Sequence, residues 1–217
     1  MNNILIIAAH PDDEWIGCGG SILKHLKDGD KVKTIFLSDG YSSRNVKDKS
    51  RNESAISLMK EIGAEKPIFF DFPDNRLDSV DLLDVIQKIE SVNKHFDPDI
   101  IYTHYQNDLN IDHRIAFQAT ITAYRPMPGK KKPTIYQFEV LSSSELAVNN
   151  GFNPNTFCDI EAFFEMKISF LKKYYDDEMR DFPHSRSYET ISSLAAFRGS
   201  SVGIKSAEAF KLLREVK

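Results

Sequence analysis

The chain alternates short, uncharged apolar runs with longer stretches in which apolar positions recur at helical spacing. Ile4 to Ile7 is the first run; apolar, largely β-branched and without charge, it reads as a strand buried on both faces. Lys31 to Ser38 is a second strand, ended by the turn chemistry of Asp39-Gly40. Pro67 to Phe70, Ile100 to Thr103 and Thr134 to Val140 are the third, fourth and fifth. Helices are predicted over Ile22 to Lys27, Arg51 to Ile62, Ser79 to Phe96 and His113 to about Tyr124. Ala55, Leu58, Met59 and Ile62 mark one apolar face, and Leu82, Ile86, Ile89 and Val92 another. Gly63 suits a helix C-cap, Asp97-Pro98-Asp99 breaks the third helix, and Asn45 to Arg51 is a charged connection. Such alternation means βαβ units with right-handed crossovers. The predicted fold class is α/β, a Rossmann-like three-layer fold with a mainly parallel sheet.

After Leu141 the rhythm weakens. Ser142 to Thr156, rich in Ser and Asn, reads as an exposed connection. Ile160 to Tyr175 is an apolar helix that places Phe163, Phe164, Phe170 and Leu171 in the core, and Asp181 to Ser187 is polar and irregular. Tyr188 to Phe197 and Ala207 to Val216 are predicted as the last helices. The expected organisation is one domain over 1–217, with a Rossmann-like core over 1–141 and additional C-terminal helices over 142–217 packed on it. A chain of 217 residues can bury a substantial core.

With 41% apolar and 28% charged residues the composition is globular, and a net charge of −4 leaves no electrostatic footprint for nucleic acid. No apolar stretch is long enough to span a bilayer, and the first is too short for a signal peptide. Two cysteines, Cys18 and Cys158, make no disulfide framework and suit a reducing compartment, so a cytoplasmic location is expected.

The candidate chemistry sits in two polar loops. His10-Pro11-Asp12-Asp13-Glu14 follows the first strand, and Pro11 prevents a strand or helix from running through it. Gly17-Cys18-Gly19-Gly20-Ser21 then reads as a flexible turn opening into a helix. Loops at the carboxyl ends of parallel strands line the ligand crevice of such sheets. His10 and Asp13, joined by His113 from the loop after the fourth strand, suit one divalent ion. Two imidazoles and one carboxylate leave positions open, as in a catalytic site, and the absence of cysteine argues against a closed structural zinc. Zinc and ferrous iron both accept this set. Asp12 is the natural general base for hydrolysis, and Asp112 a group that orients an imidazole. Taken singly, each has a plainer reading, a structural histidine or a capping aspartate; their conjunction on one sheet edge singles them out. Gly17, Gly19 and Gly20 lack the dinucleotide-binding spacing. Cys18 has no basic partner nearby in sequence and is not a candidate nucleophile. His25 and His95 read as surface residues of helices.

The stretch His10 to Glu14, with Gly17, Gly19 and Gly20, resembles the signature of the LmbE-like, or PIG-L, N-deacetylase family. Asp108 to Arg114, ending Asp112-His113-Arg114, resembles its second element, and Arg51 to Glu53, Phe72 to Leu77 and Arg198 to Phe210 are also similar. The resemblance implies a metal-dependent hydrolase that removes the N-acetyl group from an N-acetylglucosamine-type amino sugar or its conjugate. By the same resemblance His10, Asp13 and His113 hold one divalent metal ion, zinc before iron. Asp12 is then the base, Arg51 contacts substrate, and Asp74 binds sugar hydroxyls. One position departs: many members carry a histidine three residues before the last ligand, and here it is Asn110. An amide can donate a hydrogen bond to an oxyanion but cannot deliver a proton at neutral pH. Asp12 then moves the proton both ways, or His104 or His184 substitutes. His184 is either part of a polar surface loop or a lid residue over substrate, and Trp15 either stacks on a sugar or walls the core. The implied partner is a small acetylated sugar, without nucleic acid or membrane span, and the family analogy allows a homo-oligomer. The other reading, favoured by Asn110 and opposed by Asp12, is a non-catalytic metal-containing sugar-binding module.

Overall fold

Residues of the first strand and Ala9 just after it divide between two apolar clusters: Ile4, Ile6 and Ala8 belong to one, Leu5, Ile7 and Ala9 to the other, all fully buried. A strand enclosed on both faces needs a layer on each side and a neighbour on each edge. The computed structural model, which describes residues 1–38, 50–93, 95–148 and 151–217, supplies both. The Asp39-Gly40 turn and the charged stretch up to residue 49 lie outside the described residues.

The strands are β1 (Asn3–Ala8), β2 (Lys31–Ser38), β3 (Ile68–Phe72), β4 (Ile100–His104), β5 (Thr134–Phe138), β6 (Thr156–Asp159) and β7 (Ala207–Arg214), in one sheet ordered β3-β2-β1-β4-β5-β7-β6. The first five are parallel, and β7 runs antiparallel to both β5 and β6. Helices α1 (Asp13–Lys27), α2 (Ser50–Glu61), α5 (Phe164–Tyr174) and α6 (Tyr188–Ser200) cover one face, contributing Trp15, Leu58, Leu171 and Ile191 to its core. Helices α3 (Leu82–Asn93) and α4 (Ile111–Ala123) cover the other through Val85, Ile89, Ala116 and Ala119. The chain winds outward from β1 to β3 and then returns to place β4 on the opposite side of β1. Loops leaving the carboxyl ends of β1 and β4 therefore diverge and open a crevice between them.

Three expectations are corrected. The glycine run is no flexible turn: α1 begins at Asp13 and continues through it, with a kink where Cys18 takes φ −146° and ψ 22°. The glycines allow close packing, since a Cβ on Gly17 would lie 2.5 Å from the Phe138 ring and one on Gly20 2.8 Å from Ile160. The stretch predicted as a helix over Ala207 to Val216 is a strand up to Arg214, because Ala207 and Ala209 pair with β6, Phe210 pairs with both β5 and β6, and all three are buried there. The connection predicted over Ser142 to Thr156 ends in β6, so the segment after Leu141 adds two strands as well as helices.

The kink has its own chemistry. In an unbroken helix the Gly20 N–H would bond to the Ile16 carbonyl. Here Gly20 N–H donates to Glu208 Oε1 (2.8 Å), while Ile16 O accepts from Lys167 Nζ (2.7 Å). Lys167 and Glu208 are themselves paired at 2.6 Å, and Glu208 Oε2 accepts from both the N–H and the hydroxyl of Ser21 at 2.7 Å. The ion pair is thus inserted into the helix, carboxylate towards the start of its second half and ammonium towards the end of its first, the polarity the helix dipole favours. Both side chains are at least 95% buried. Glu208→Ala leaves a buried ammonium without its counter-charge and two amide N–H groups without partners, and should cost about 3–5 kcal/mol in urea unfolding. Glu208→Gln, which keeps an acceptor oxygen but not the charge, should cost less; equal losses would show that the charge alone, and not the hydrogen bonds to the helix, carries the effect.

Candidate active site

The crevice at the switch point is a cavity of about 310 Å³ lined by residues of the loops after β1 and β4 together with Arg51, Asp74, Asn75, Ser142, Ser143 and Arg186. His10 lies just beyond β1, while Asn110 caps α4, its side-chain oxygen accepting from the Asp112 N–H at 2.8 Å. This cap starts the helix at Ile111, so Asp112 and His113 occupy its first turn.

Asp13 Oδ2 is the common point of the cluster. It lies 3.1 Å from His10 Nδ1 and 3.3 Å from His113 Nε2, and accepts the His10 backbone N–H at 2.9 Å. The remaining imidazole nitrogens are met by other carboxylates. His10 Nε2 is 3.0 Å from Asp112 Oδ2 and 3.1 Å from Asp74 Oδ1, while His113 Nδ1 is 3.1 Å from Asp108 Oδ1. Asp112 is fixed in turn by the N–H groups of Asn75 (2.7 Å) and Leu77 (3.0 Å), and Asp108 by the hydroxyls of Ser143 and Ser144. Burial opposes charge on His10, but the hydrogen bonds its ring donates to Asp112, Asp13 and Asp74 outweigh it and hold its pKa well above the ordinary value. For His113, burial is likewise overcome by Asp13 and Asp108, and the pKa rises to about 9.

Asp12 stands at the N-cap position of α1 at φ 111°, but its side chain does not cap the helix. Its N–H donates to Glu14 Oε2 at 2.9 Å, and its Oδ2 receives two guanidinium groups, Arg51 Nη2 and Arg186 Nη1, each at 2.8 Å. Oδ1 is buried without a hydrogen-bond partner among the described residues. Burial raises the Asp12 pKa against the pull of both arginines.

The fold thus gathers His10, Asp12, Asp13, Arg51, Asp74, Asn110 and His113 around one cavity, with Asp112 directly behind His10. Arg51 is committed to Asp12, the Pro11 carbonyl and Glu178. His184 does not line the cavity; it is exposed and accepts the Arg186 N–H at 3.0 Å. His104 is not a substitute proton donor at the cavity either. Fully buried and stacked 3.9 Å from the His113 ring, it accepts the Ala9 N–H through Nε2, and burial keeps it neutral. Trp15 walls the core, its indole N–H donating to the Lys167 carbonyl. His25 is half-buried rather than a surface residue, held between Asp30 and the Tyr102 hydroxyl. Asp108 opens the second family-like element but shows no sign in the sequence of its pairing with His113, and Arg186 and Ser143 carry no local signal of their roles apart from the serine-rich composition after Leu141.

A doubly wound sheet with His10, Asp13 and His113 clustered at its switch point defines an α/β protein able to hold a divalent ion beside a second carboxylate. The chain belongs to the PIG-L family, whose description is GlcNAc-PI de-N-acetylase and whose pattern matches residues 5–124. It is 29% identical over 178 residues to the uncharacterized deacetylase YaiS of Escherichia coli K12, covering 79% of this chain and 89% of that one. It is 24% identical to a probable N-acetyl-alpha-D-glucosaminyl L-malate deacetylase 2 of Bacillus cereus, covering 78% and 80%. A 4-oxalmesaconate hydratase of Pseudomonas putida is 26% identical, covering 79% and 72%. Among solved structures, protein TT1542 of Thermus thermophilus superposes with TM-score 0.80 at 19% identity, covering 100% and 97%. The N,N'-diacetylchitobiose deacetylase of Pyrococcus horikoshii gives 0.76 at 19%, covering 97% and 83%, and these two likenesses speak for the fold.

Glu14 yields a pH test. Burial is the largest influence and pushes its carboxyl up to about 8, against the Tyr175 hydroxyl and the Asp12 N–H, which favour the anion. A folded-state pKa above the unfolded value of 4.5 means that its stabilising contribution is complete below pH 4.5 and is lost as pH rises to about 8. In metal-free protein this group alone gives a slope of about −1.4 kcal/mol per pH unit across that window. Glu14→Gln should remove that component in urea unfolding series at pH 5 to 8, and parallel curves for the two proteins would refute the assignment.

Proposed function

We propose that this chain is a metal-dependent hydrolase that removes the N-acetyl group from an N-acetylglucosamine-type amino sugar or its conjugate. The observation that carries the reading is Asp12 Oδ1, buried, unpartnered among the described residues and beside a cluster of two imidazoles and a carboxylate. That cluster fits a divalent ion. With their outer nitrogens given to Asp112, Asp74 and Asp108, His10 and His113 turn their remaining nitrogens, Nδ1 and Nε2 respectively, towards Asp13. The raised imidazole pKa values mark surplus negative charge that a cation would neutralise in place of protons. Zinc and ferrous iron both suit the donors.

A bound divalent ion would supply the Lewis acid that polarises the amide carbonyl and acidifies water. Asp12 Oδ1 accepts the proton as a water oxygen attacks the acetyl carbon. Asn110 is turned by its own capping bond so that its amide nitrogen is left to donate; it reaches Asn75 Oδ1 at 3.3 Å and can offer its second N–H to the oxyanion. No imidazole other than the proposed ligands lines the cavity among the described residues, so Asp12 returns the proton to the leaving nitrogen as the C–N bond breaks, giving acetate and the free amine. The similarity to two deacetylases supports this chemistry. A second reading, addition of water to a carbon–carbon double bond of an unsaturated acid, is supported by the hydratase relative and would use the same base.

Acetate release from a panel of N-acetylglucosamine derivatives should be abolished by chelation and restored by zinc or ferrous iron. Asp12→Asn should keep its metal and lose about 10²- to 10⁴-fold in rate. Near wild-type activity in that variant would sink the assignment of the base. Hydration of an unsaturated dicarboxylate without acetate release from any amide would favour the second reading.

A further inference from the structure

We propose that Arg186 is a positioning residue that clamps one oxygen of Asp12 and thereby presents the other to the cavity; this rests on the reading of Asp12 as the base. A carboxylate held by a single donor can turn about its Cβ–Cγ bond. Asp12 Oδ2 is instead held by two guanidinium groups arriving from different elements, Arg51 from α2 and Arg186 from the loop before α6, each at 2.8 Å. The pair is enclosed: Asp12 is 1% exposed in its side chain and Arg186 16%, so solvent weakens the contact far less than at a surface ion pair.

Arg186 is itself held on three sides. Its Nε donates to Ser142 Oγ at 3.0 Å, its N–H to His184 Nδ1 at 3.0 Å, and its carbonyl accepts the Arg180 N–H at 3.0 Å. Ser142 sits at φ 74°, an uncommon conformation for a serine, with its N–H fixed by Glu145 Oε1 at 2.7 Å. The next residue, Ser143, bonds to Asp108 and lies 3.3 Å from His113 Nδ1. One short turn after β5 therefore sets both the base, through Arg186, and a candidate ligand, through Asp108. Asp12 and Arg186 are 174 residues apart, and Arg186 lies outside the stretch 5–124 that carries the family pattern. The clamp is a contribution of the C-terminal part of this chain.

Crystal structures of the metal-loaded wild type and Arg186→Gln, with steady-state acetate release and metal content of both, test the clamp. The Asp12 carboxylate should hold one orientation in the wild type and turn away in the variant. With metal content equal, kcat should fall about 10- to 100-fold while KM changes less than about threefold, the effect of a misplaced rather than a missing group. Arg186→Lys, which keeps the charge but cannot reach Asp12 and Ser142 together, should recover only part of the loss. Ser142→Ala, which frees Nε without touching Asp12, should lower kcat by about 3- to 10-fold and serves if Arg186→Gln does not fold. An unmoved Asp12, a kcat within about threefold of wild type, or a raised KM at unchanged kcat would overturn the proposal. A wild type that releases no acetate from any derivative refutes the deacetylase reading instead, and the orientation of Asp12 in the two crystals still decides the clamp.

Discussion

Six carboxyl groups, Asp12, Asp13, Glu14, Asp74, Asp108 and Asp112, are at most 1% exposed and crowd the carboxyl ends of β1 and β4. An uncompensated carboxylate taken out of water costs several kcal/mol, so each must be answered by a specific partner. Asp13 is answered by two imidazoles, Asp112 by two backbone N–H groups and His10, Asp108 by two hydroxyls and His113, Asp74 by His10 and the Asn75 side-chain amide, and Asp12 by two guanidinium groups. Glu14 is answered by the Asp12 N–H and the Tyr175 hydroxyl, with burial pushing its carboxyl up to about 8. Because every answer is directional, neutralising the charge also fixes the position of nearly every atom around the cavity. Electrostatic compensation and preorganisation are here the same set of bonds.

Those features of fold and site that depend on adjacent residues were legible in the sequence. The uncharged runs at Ile4 and Ile100 announce buried strands, and histidines and aspartates immediately beyond them announce a crevice. The parallel order brings His10, Asp13 and His113 to one place. What was not legible depends on partners far along the chain. Gly17 and Gly20 look like a turn until Phe138 and Ile160 are found against them. Residues 207–214 carry enough apolar and helix-compatible side chains to pass for a helix, and only the open edge of β5 makes them a strand. Arg186 and His184 are two similar signals in one polar loop, and nothing local says which of them faces the cavity. The histidine was the more familiar catalytic residue and the arginine the one that points inward.

The ion pair set into α1 has a consequence for the order of events during synthesis. Gly20 and Glu208 are separated by 188 residues, so the helix whose first turn bears Asp13 and Glu14 cannot satisfy its interrupted backbone until the strand at 207–214 has been made and docked. Contacts of such sequence separation form late and slow the folding of the whole domain. While the ribosome is still working, β1 to β5 can pair, but the first helix lacks the ion pair that satisfies its kink. The helix that is made first is therefore among the last parts of the domain to be completed.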